Sequence, residues 1–421
     1  MPVSPQQTEV LPHAIFLQRI AAESSALTLE ARLGQAAFLA LRLVDLLAAD
    51  GEPVSQDAFR YQAVATERFC HELRDAATEG AHLQGIVASA DDAHRLGDVR
   101  LLAPALLAYA HFLEDELRLE ETLDVLCSLV QVGGERLSSS DAVAGRLRIA
   151  RVNRKLNRFN EAEAAYAEAG ELAATAGDRY SELLSRIGRA NSVLGRGNLA
   201  EAERALRGIL PDARAAGERD AEARVEHGIG VVLAQRGQTA EAIPHTWRAF
   251  ELYDDEDSQL RALSDVGTML LTLGDHVVAE RALSEVVRRG GTPDSTSNAM
   301  IELMHCASYR RDRVGFARWR ERCEGRVPDM PPNIRADFYL KQGIGQARFG
   351  QFRRAEALMA RALEVAGAAG LHEFEFRIAR IKGGLADCEK LQQVEPPAVP
   401  EPVLDTQELR EVSASLAQLV G

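Results

Sequence analysis

From about residue 98 onward, apolar side chains recur every three or four positions, and short polar turns interrupt the runs at regular intervals. Three segments share one layout: GRGNLAEAERAL from Gly195, RGQTAEAIPHTW from Arg236 and LGDHVVAERALS from Leu273. Each places a small polar turn before an Ala-rich amphipathic run. Aligned on the turn, Gly197, Gly237 and Gly274 lie 40 and 37 residues apart. The same spacing continues back to Asn157 and Leu117, and forward to Arg311 and Gly350. A period of 37–40 residues across seven anchors predicts stacked helix pairs, each too small to bury its apolar face alone.

The periodicity predicts pairs over 99–115 with 119–131, 142–156 with 160–175, 180–194 with 199–215, and 220–235 with 239–252. Three more follow, 259–272 with 277–288, 296–309 with 313–324, and 334–348 with 353–367. Ser138 to Asp141 and Asn333 are read as N-terminal caps. Pro244, inside 239–252, predicts a kink. Ahead of the array, Pro2, Pro5 and Pro12 mark a loose arm, and longer helices are expected over 29–49, 55–76 and 81–95, with Asp50-Gly51-Glu52-Pro53 as a breaker. The expected organisation is a helical cap over 1–97 with degenerate repeats, a repeat array over 98–370, and a capping helix over 371–393. A Pro-rich linker over 394–404 and an amphipathic helix over 405–421 complete it. That last helix opens on the capping box Asp405-Thr406-Gln407-Glu408 and carries Leu409, Val412, Leu416 and Leu419 at helical spacing. So short a helix must dock: on its own chain, on a second copy to form a homodimer, or on a partner.

Composition agrees with stacked helices: 46% of residues are hydrophobic, 27% charged and only 5% aromatic. Few Val-Ile-Thr alternations occur, so no strand is expected. A net charge of −14 favours solubility and argues against nucleic acid as the partner. The five cysteines Cys70, Cys127, Cys306, Cys323 and Cys388 are scattered without C-x-x-C spacing, which suits reduced thiols in the cytoplasm. No signal-peptide pattern and no membrane-spanning apolar run are read in the chain.

The repeats resemble tetratricopeptide repeats. Setting the turn glycine as the fifteenth position puts Ala150, Ala190, Gly230, Gly267 and Gly343 at the small eighth position. Ala162, Ala202, Ala242, Ala279 and Ala355 then fall at the twentieth, where small residues let paired helices approach closely. The match departs at Met304 and Phe316, and at Thr122; the first-turn tryptophan and terminal proline of the motif are replaced by turns such as Ala-Gly-Asp-Arg at 176–179. The longer period looks like the extended repeats of bacterial signalling regulators. The resemblance implies an all-α, right-handed α-solenoid, a superhelix of antiparallel helix pairs whose first helices line a concave groove.

Positions of the first helices that would face the groove include Arg148, Arg151, Arg154, Lys155, Asn191, His227, Gln235, His305, Tyr309 and Arg348. The run RLRIARVNRKLNR from Arg146 to Arg158 holds six cations and no acid, a local exception in an acidic chain. Such a face suits an extended protein segment or peptide with acidic groups, because guanidinium forks carboxylates. The same arginines could instead pair with acids of adjacent helices. Gly228-Ile-Gly230 and Gly343-Ile-Gly345 lack the third glycine and the strand of a dinucleotide site, and read as helix-packing positions. His71-Glu72 lacks a second histidine, no metal-ligand cluster is spaced for binding, and His305 and Cys306 project about 100° apart on a helix. The expectation is a non-enzymatic scaffold or adaptor without cofactor or metal. The alternative is a sensor that takes a small peptide or anionic ligand and changes curvature.

Overall fold

The computed structural model describes residues 11–23, 25, 27–48, 54–392 and 406–419, with the backbone alone at 373, 386, 388, 391, 392 and 419. Residues 1–10 of the proline arm expected over 1–12, the Asp50–Pro53 breaker, the Pro-rich linker and Asp405 lie outside these residues, as do the side chains of Cys388 and Leu419. The chain forms two compact units, Met1–Asn198 and Leu199–Gly421. Among the described residues all regular structure is helical.

Unit 1 opens with four helices, α1 (Ala14–Ala22), α2 (Leu29–Asp45), α3 (Gln56–Arg74) and α4 (Thr78–Leu96). Two antiparallel pairs follow, α5 (Ala103–Asp115) with α6 (Leu119–Gly133) and α7 (Ser139–Lys155) with α8 (Phe159–Ala176), and then α9 (Arg179–Gly195). The expected helix from residue 99 begins as a 3-10 turn, Val99–Leu102, started by the Asp98 side chain and handed to α5 at Pro104. Phe16, Leu41, Phe59, Leu83, Leu106, Tyr109 and Val125 are buried in one continuous core.

Unit 2 begins with α10 (Leu199–Ala216). It continues with the pairs α11 (Arg219–Gln235) and α12 (Thr239–Leu252), α13 (Glu256–Thr272) and α14 (His276–Arg289), α15 (Pro293–Tyr309) and α16 (Arg313–Glu324), and α17 (Pro332–Arg348) and α18 (Phe352–Ala368). The stretch expected as one capping helix over 371–393 is broken at Gly384 into α19 (His372–Gly383) and α20 (Leu385–Gln392). The chain's last helix, α21 (Gln407–Leu419), packs on α12 and α14 and buries Leu409, Val412 and Leu416. Its seat is formed by second helices of their pairs, and the Thr406 hydroxyl accepts a hydrogen bond from the Leu409 N–H (3.3 Å) at its start.

Local chemistry sets the element ends. Ser138 accepts from the Asp141 N–H (3.1 Å), Asp178 from Ser181 (3.0 Å), Asp255 from Ser258 (2.8 Å) and Asp275 from Val278 (3.0 Å). Asn333 is not a cap: Pro331 takes that place, and Pro332 starts the helix with its φ already fixed. The helix α12 runs on through Pro244, and α10 through Pro211.

The seven turn anchors share one backbone state. Gly197, Gly237, Gly274 and Gly350 have φ between 78° and 88°, and Leu117, Asn157 and Arg311 have φ of 59°, 60° and 57°. A left-handed conformation costs a non-glycine residue about 1–2 kcal/mol. Leu117 is half exposed and loses little contact on truncation. Leu117→Gly is therefore expected to raise the stability of unit 1 by about 1 kcal/mol, measured by urea unfolding. A loss of stability would show that the turn is held by the leucine side chain instead.

Close approach within the pairs follows from the small residues. A Cβ on Gly230 would lie 2.1 Å from Thr246 Oγ1 and 3.2 Å from the Ala242 carbonyl. One on Gly343 would lie 3.1 Å from the Ala355 carbonyl. Both Gly-Ile-Gly segments thus lie inside helices, and Gly230, Gly343 and Gly345 sit at helix–helix contacts.

Candidate ligand-binding faces

In unit 1 the arginine-rich face is organised by an acid. Glu114, near the end of α5, has a side chain only 1% exposed. Lys155 Nζ lies 2.7 Å from its Oε1, Arg151 Nε lies 2.9 Å from the same oxygen, and Arg148 Nε lies 3.8 Å from Oε2. Burial alone would raise this carboxyl, but Lys155, Arg151 and Arg148 outweigh it and hold Glu114 below its ordinary range. Arg148 also donates to the Leu107 carbonyl (3.4 Å). Three cations meet one carboxylate, so the cluster keeps an excess of positive charge, and Arg151 remains half exposed. Arg154 stands apart from Glu114, half-buried on α7, and its Nε is buried without a hydrogen-bond partner. Asn191 is half-buried on α9.

In unit 2 the predicted residues fall into two groups. His227, buried on α11, contacts Asp265 Oδ2 (2.8 Å) of α13 and the Tyr253 hydroxyl (3.3 Å). It thus ties two first helices together, while Gln235 is exposed at the end of α11. His305, Tyr309 and Arg348 come together between α15 and α17. The Arg348 guanidinium lies over the Tyr309 ring, 3.3 Å from its centroid. Its Nη1 donates to Ser308 Oγ (2.7 Å) and approaches His305 Nδ1 (3.3 Å). His276 stacks on Tyr309 with centroids 4.7 Å apart. Burial, and then the Arg348 charge, push His305 well below its ordinary value, so it is a neutral imidazole that can accept from Arg348.

The neighbouring thiol is inert. Cys306 donates to the His276 carbonyl (3.2 Å), and burial pushes it up to about 12. Cys70 and Cys323 are likewise buried and pushed up to about 12. Among the described residues no group of three His, Cys, Asp or Glu side chains is placed to hold a metal ion, and no helix is long and apolar enough to cross a membrane.

Sequence reasoning named the cations of the unit 1 face and missed Glu114. Its trace was there: the acid sits on the first helix of the preceding pair, roughly one period before Arg151. The same displacement recurs where Lys341 pairs with Glu302, 39 residues back, and Arg377 with Asp337, 40 back. Also missed were Arg311 and Arg313, which with Arg348, Phe349 and Gly350 line a cleft of about 250 Å³.

No protein-family model matches the sequence, and a search of curated proteins gives no match. Solved structures do match in fold. The Rap conjugation gene regulator of the plasmid pLS20, in complex with the Phr* peptide, aligns over 79% of this chain and 97% of its own, with 12% identity and a TM-score of 0.50. Aspartyl phosphate phosphatase F from Bacillus subtilis aligns over 82% and 95%, with 13% identity and a TM-score of 0.48. The apo quorum sensor NprR from B. thuringiensis aligns over 83% and 97%, with 12% identity and a TM-score of 0.48. With the recurring pairs, the left-handed turn anchors and the small eighth and twentieth positions, the chain has the fold of a tetratricopeptide-like α-solenoid.

Proposed function

We propose that the chain is a non-catalytic regulator or adaptor of the cytoplasm that binds a protein segment or peptide carrying acidic groups. The observation that carries this reading is the Glu114 cluster, where one buried carboxylate orients three cations and leaves positive charge over. A guanidinium fixed on one edge keeps donors on the other, so less order is lost when it forks an incoming carboxylate. The pLS20 Rap regulator, of like fold, is seen with a peptide, which supports a peptide as the class of partner.

The test compares arrays of short Asp/Glu-containing peptides with neutral ones on the wild-type chain and on the Arg151→Gln/Lys155→Gln variant. Gln is preferred to Glu, because a second carboxylate beside Glu114 would destabilise α5 and α7 and confuse the reading. The acidic set should be preferred, and the variant should lose about tenfold in affinity, equivalent to ~1.4 kcal/mol. Equal binding by both proteins would remove the face from the assignment.

A further inference from the structure

The run Arg310-Arg311-Asp312-Arg313, at the turn between α15 and α16, distributes its charges unevenly. Arg310 pairs with Glu280. Asp312 is turned onto the start of α16, where its Oδ1 accepts from the Gly315 N–H (2.9 Å). Arg311 and Arg313 are left facing the cleft, and Arg348 joins them from the end of α17. Among the described residues none of these three guanidinium groups has a carboxylate within ion-pair distance, although the chain carries 63 acidic residues against 49 basic ones.

Two of the three are held in place by aromatic rings. Arg313 lies over Phe349 (5.4 Å to the centroid) and donates to the Phe349 carbonyl (3.4 Å). Arg348 lies over Tyr309 and donates to Ser308. Stacking occupies the faces of these planar groups and leaves N–H donors on their edges. Burial pushes the Arg348 guanidinium below its ordinary value; Tyr309 works the other way, and the Arg311 charge adds to the lowering. Arg311 itself holds a left-handed backbone (φ 57°) at a position where four of the seven anchors are glycine.

We propose that this cleft is a binding site for a phosphoryl dianion, either free phosphate or the monoester group of a small molecule. Three unneutralised guanidinium groups match a group that bears about two negative charges and three acceptor oxygens better than they match a single carboxylate. A cleft of about 250 Å³ holds such a group with a small substituent. The site is separate from the Glu114 cluster and does not rest on the peptide reading.

The test is calorimetric titration of the full chain with inorganic phosphate, phenyl phosphate and acetate at matched ionic strength. Saturable binding of one or both phosphates in the millimolar range or tighter, with acetate much weaker, is the expected result. Phenyl phosphate binding more tightly than inorganic phosphate identifies a monoester ligand, and equal binding identifies the free anion. Arg311→Gly combined with Arg313→Gln should weaken phosphate binding by at least about tenfold, because two charge-assisted contacts are removed. Gly at 311 relieves the left-handed turn, so loss of binding cannot be put down to a broken turn; an unchanged circular dichroism spectrum checks this. Arg204→Gln, at an exposed position of α10 outside both faces, should titrate phosphate like the wild type. No saturable binding, acetate binding as well as phosphate, or a variant indistinguishable from the wild type would each overturn the proposal.

Discussion

Glu79→Ala is expected to destabilise unit 1 by about 3–5 kcal/mol, because it leaves two cations without their buried counter-charge. Glu79 lies in the first turn of α4 and is 4% exposed. Its carboxylate accepts from Arg19 (2.9 and 3.2 Å), from Arg118 (2.8 and 3.0 Å) and from the Tyr109 hydroxyl (2.8 Å). One side chain thus ties together α1, α4, α5 and the turn before α6. Burial would raise this carboxyl, but Arg118 and Arg19 outweigh it and hold it below the ordinary range. The stabilisation is therefore present above the ordinary carboxylate pKa and is lost as pH falls through the lower folded value. Glu79→Gln keeps the volume and part of the hydrogen bonding, and should cost less. Guanidinium unfolding followed by circular dichroism reads both variants. A loss below about 1 kcal/mol for the alanine variant would mean that water or Glu121 takes over the two arginines.

The second large effect is a fall in unit 1 stability between pH 6.5 and about 9, caused by His13. The ring is 5% exposed, with Nδ1 2.5 Å from Asp124 Oδ2 and Nε2 3.1 Å from Asp45 Oδ2. Arg42 Nη1 shares that Asp45 oxygen (2.8 Å). Burial works against the imidazolium, but the hydrogen bonds and charges of Asp124 and Asp45 outweigh it and raise His13 to about 9. A raised histidine contributes its full stabilisation below the unfolded value of 6.5 and loses it as pH climbs through about 9. At ~1.4 kcal/mol for each tenfold change in proton affinity, the contribution is about 3 kcal/mol. Unfolding midpoints of the wild type and of His13→Gln, measured across this range, isolate the term from other titrations. The wild type should lose its advantage over the variant by the alkaline end. A constant difference would assign His13 a packing role alone.

The repeat region was readable because its rules are local. A turn anchor needs a left-handed residue, and all seven positions found by spacing alone have one, including Leu117, Asn157 and Arg311, where glycine is absent. The eighth and twentieth positions must be small, and Ala150, Ala162, Gly230, Ala242, Gly343 and Ala355 sit where pairs of helices touch. Side-chain pairing was less legible, because it runs between successive first helices and requires looking one period back for the opposite charge. Arg151 and Glu114 obey that rule, as do Lys341 and Glu302, yet neither acid stands out in its own segment. The helices ahead of the repeats were the least legible. His13 meets Asp124 across 111 residues and Arg19 meets Glu79 across 60, and no periodicity relates such positions. The candidate phosphate cleft was hidden for another reason: Asp312 looks like a neutralising neighbour in sequence, and only the fold shows it committed to capping α16.

The seat of α21 has a consequence for anything that competes for it. Leu409, Val412 and Leu416 are already buried against α12 and α14, and their helix is covalently tied to that surface. An external helix offering a similar stripe faces an intramolecular rival, which competes at an effective concentration set by its tether and not by the bulk solution. Its apparent affinity is reduced by the ratio of seated to unseated tail, so only a binder that exceeds this rival gains access. The α12–α14 surface is thus selective through occupancy: the chain's own end sets the threshold.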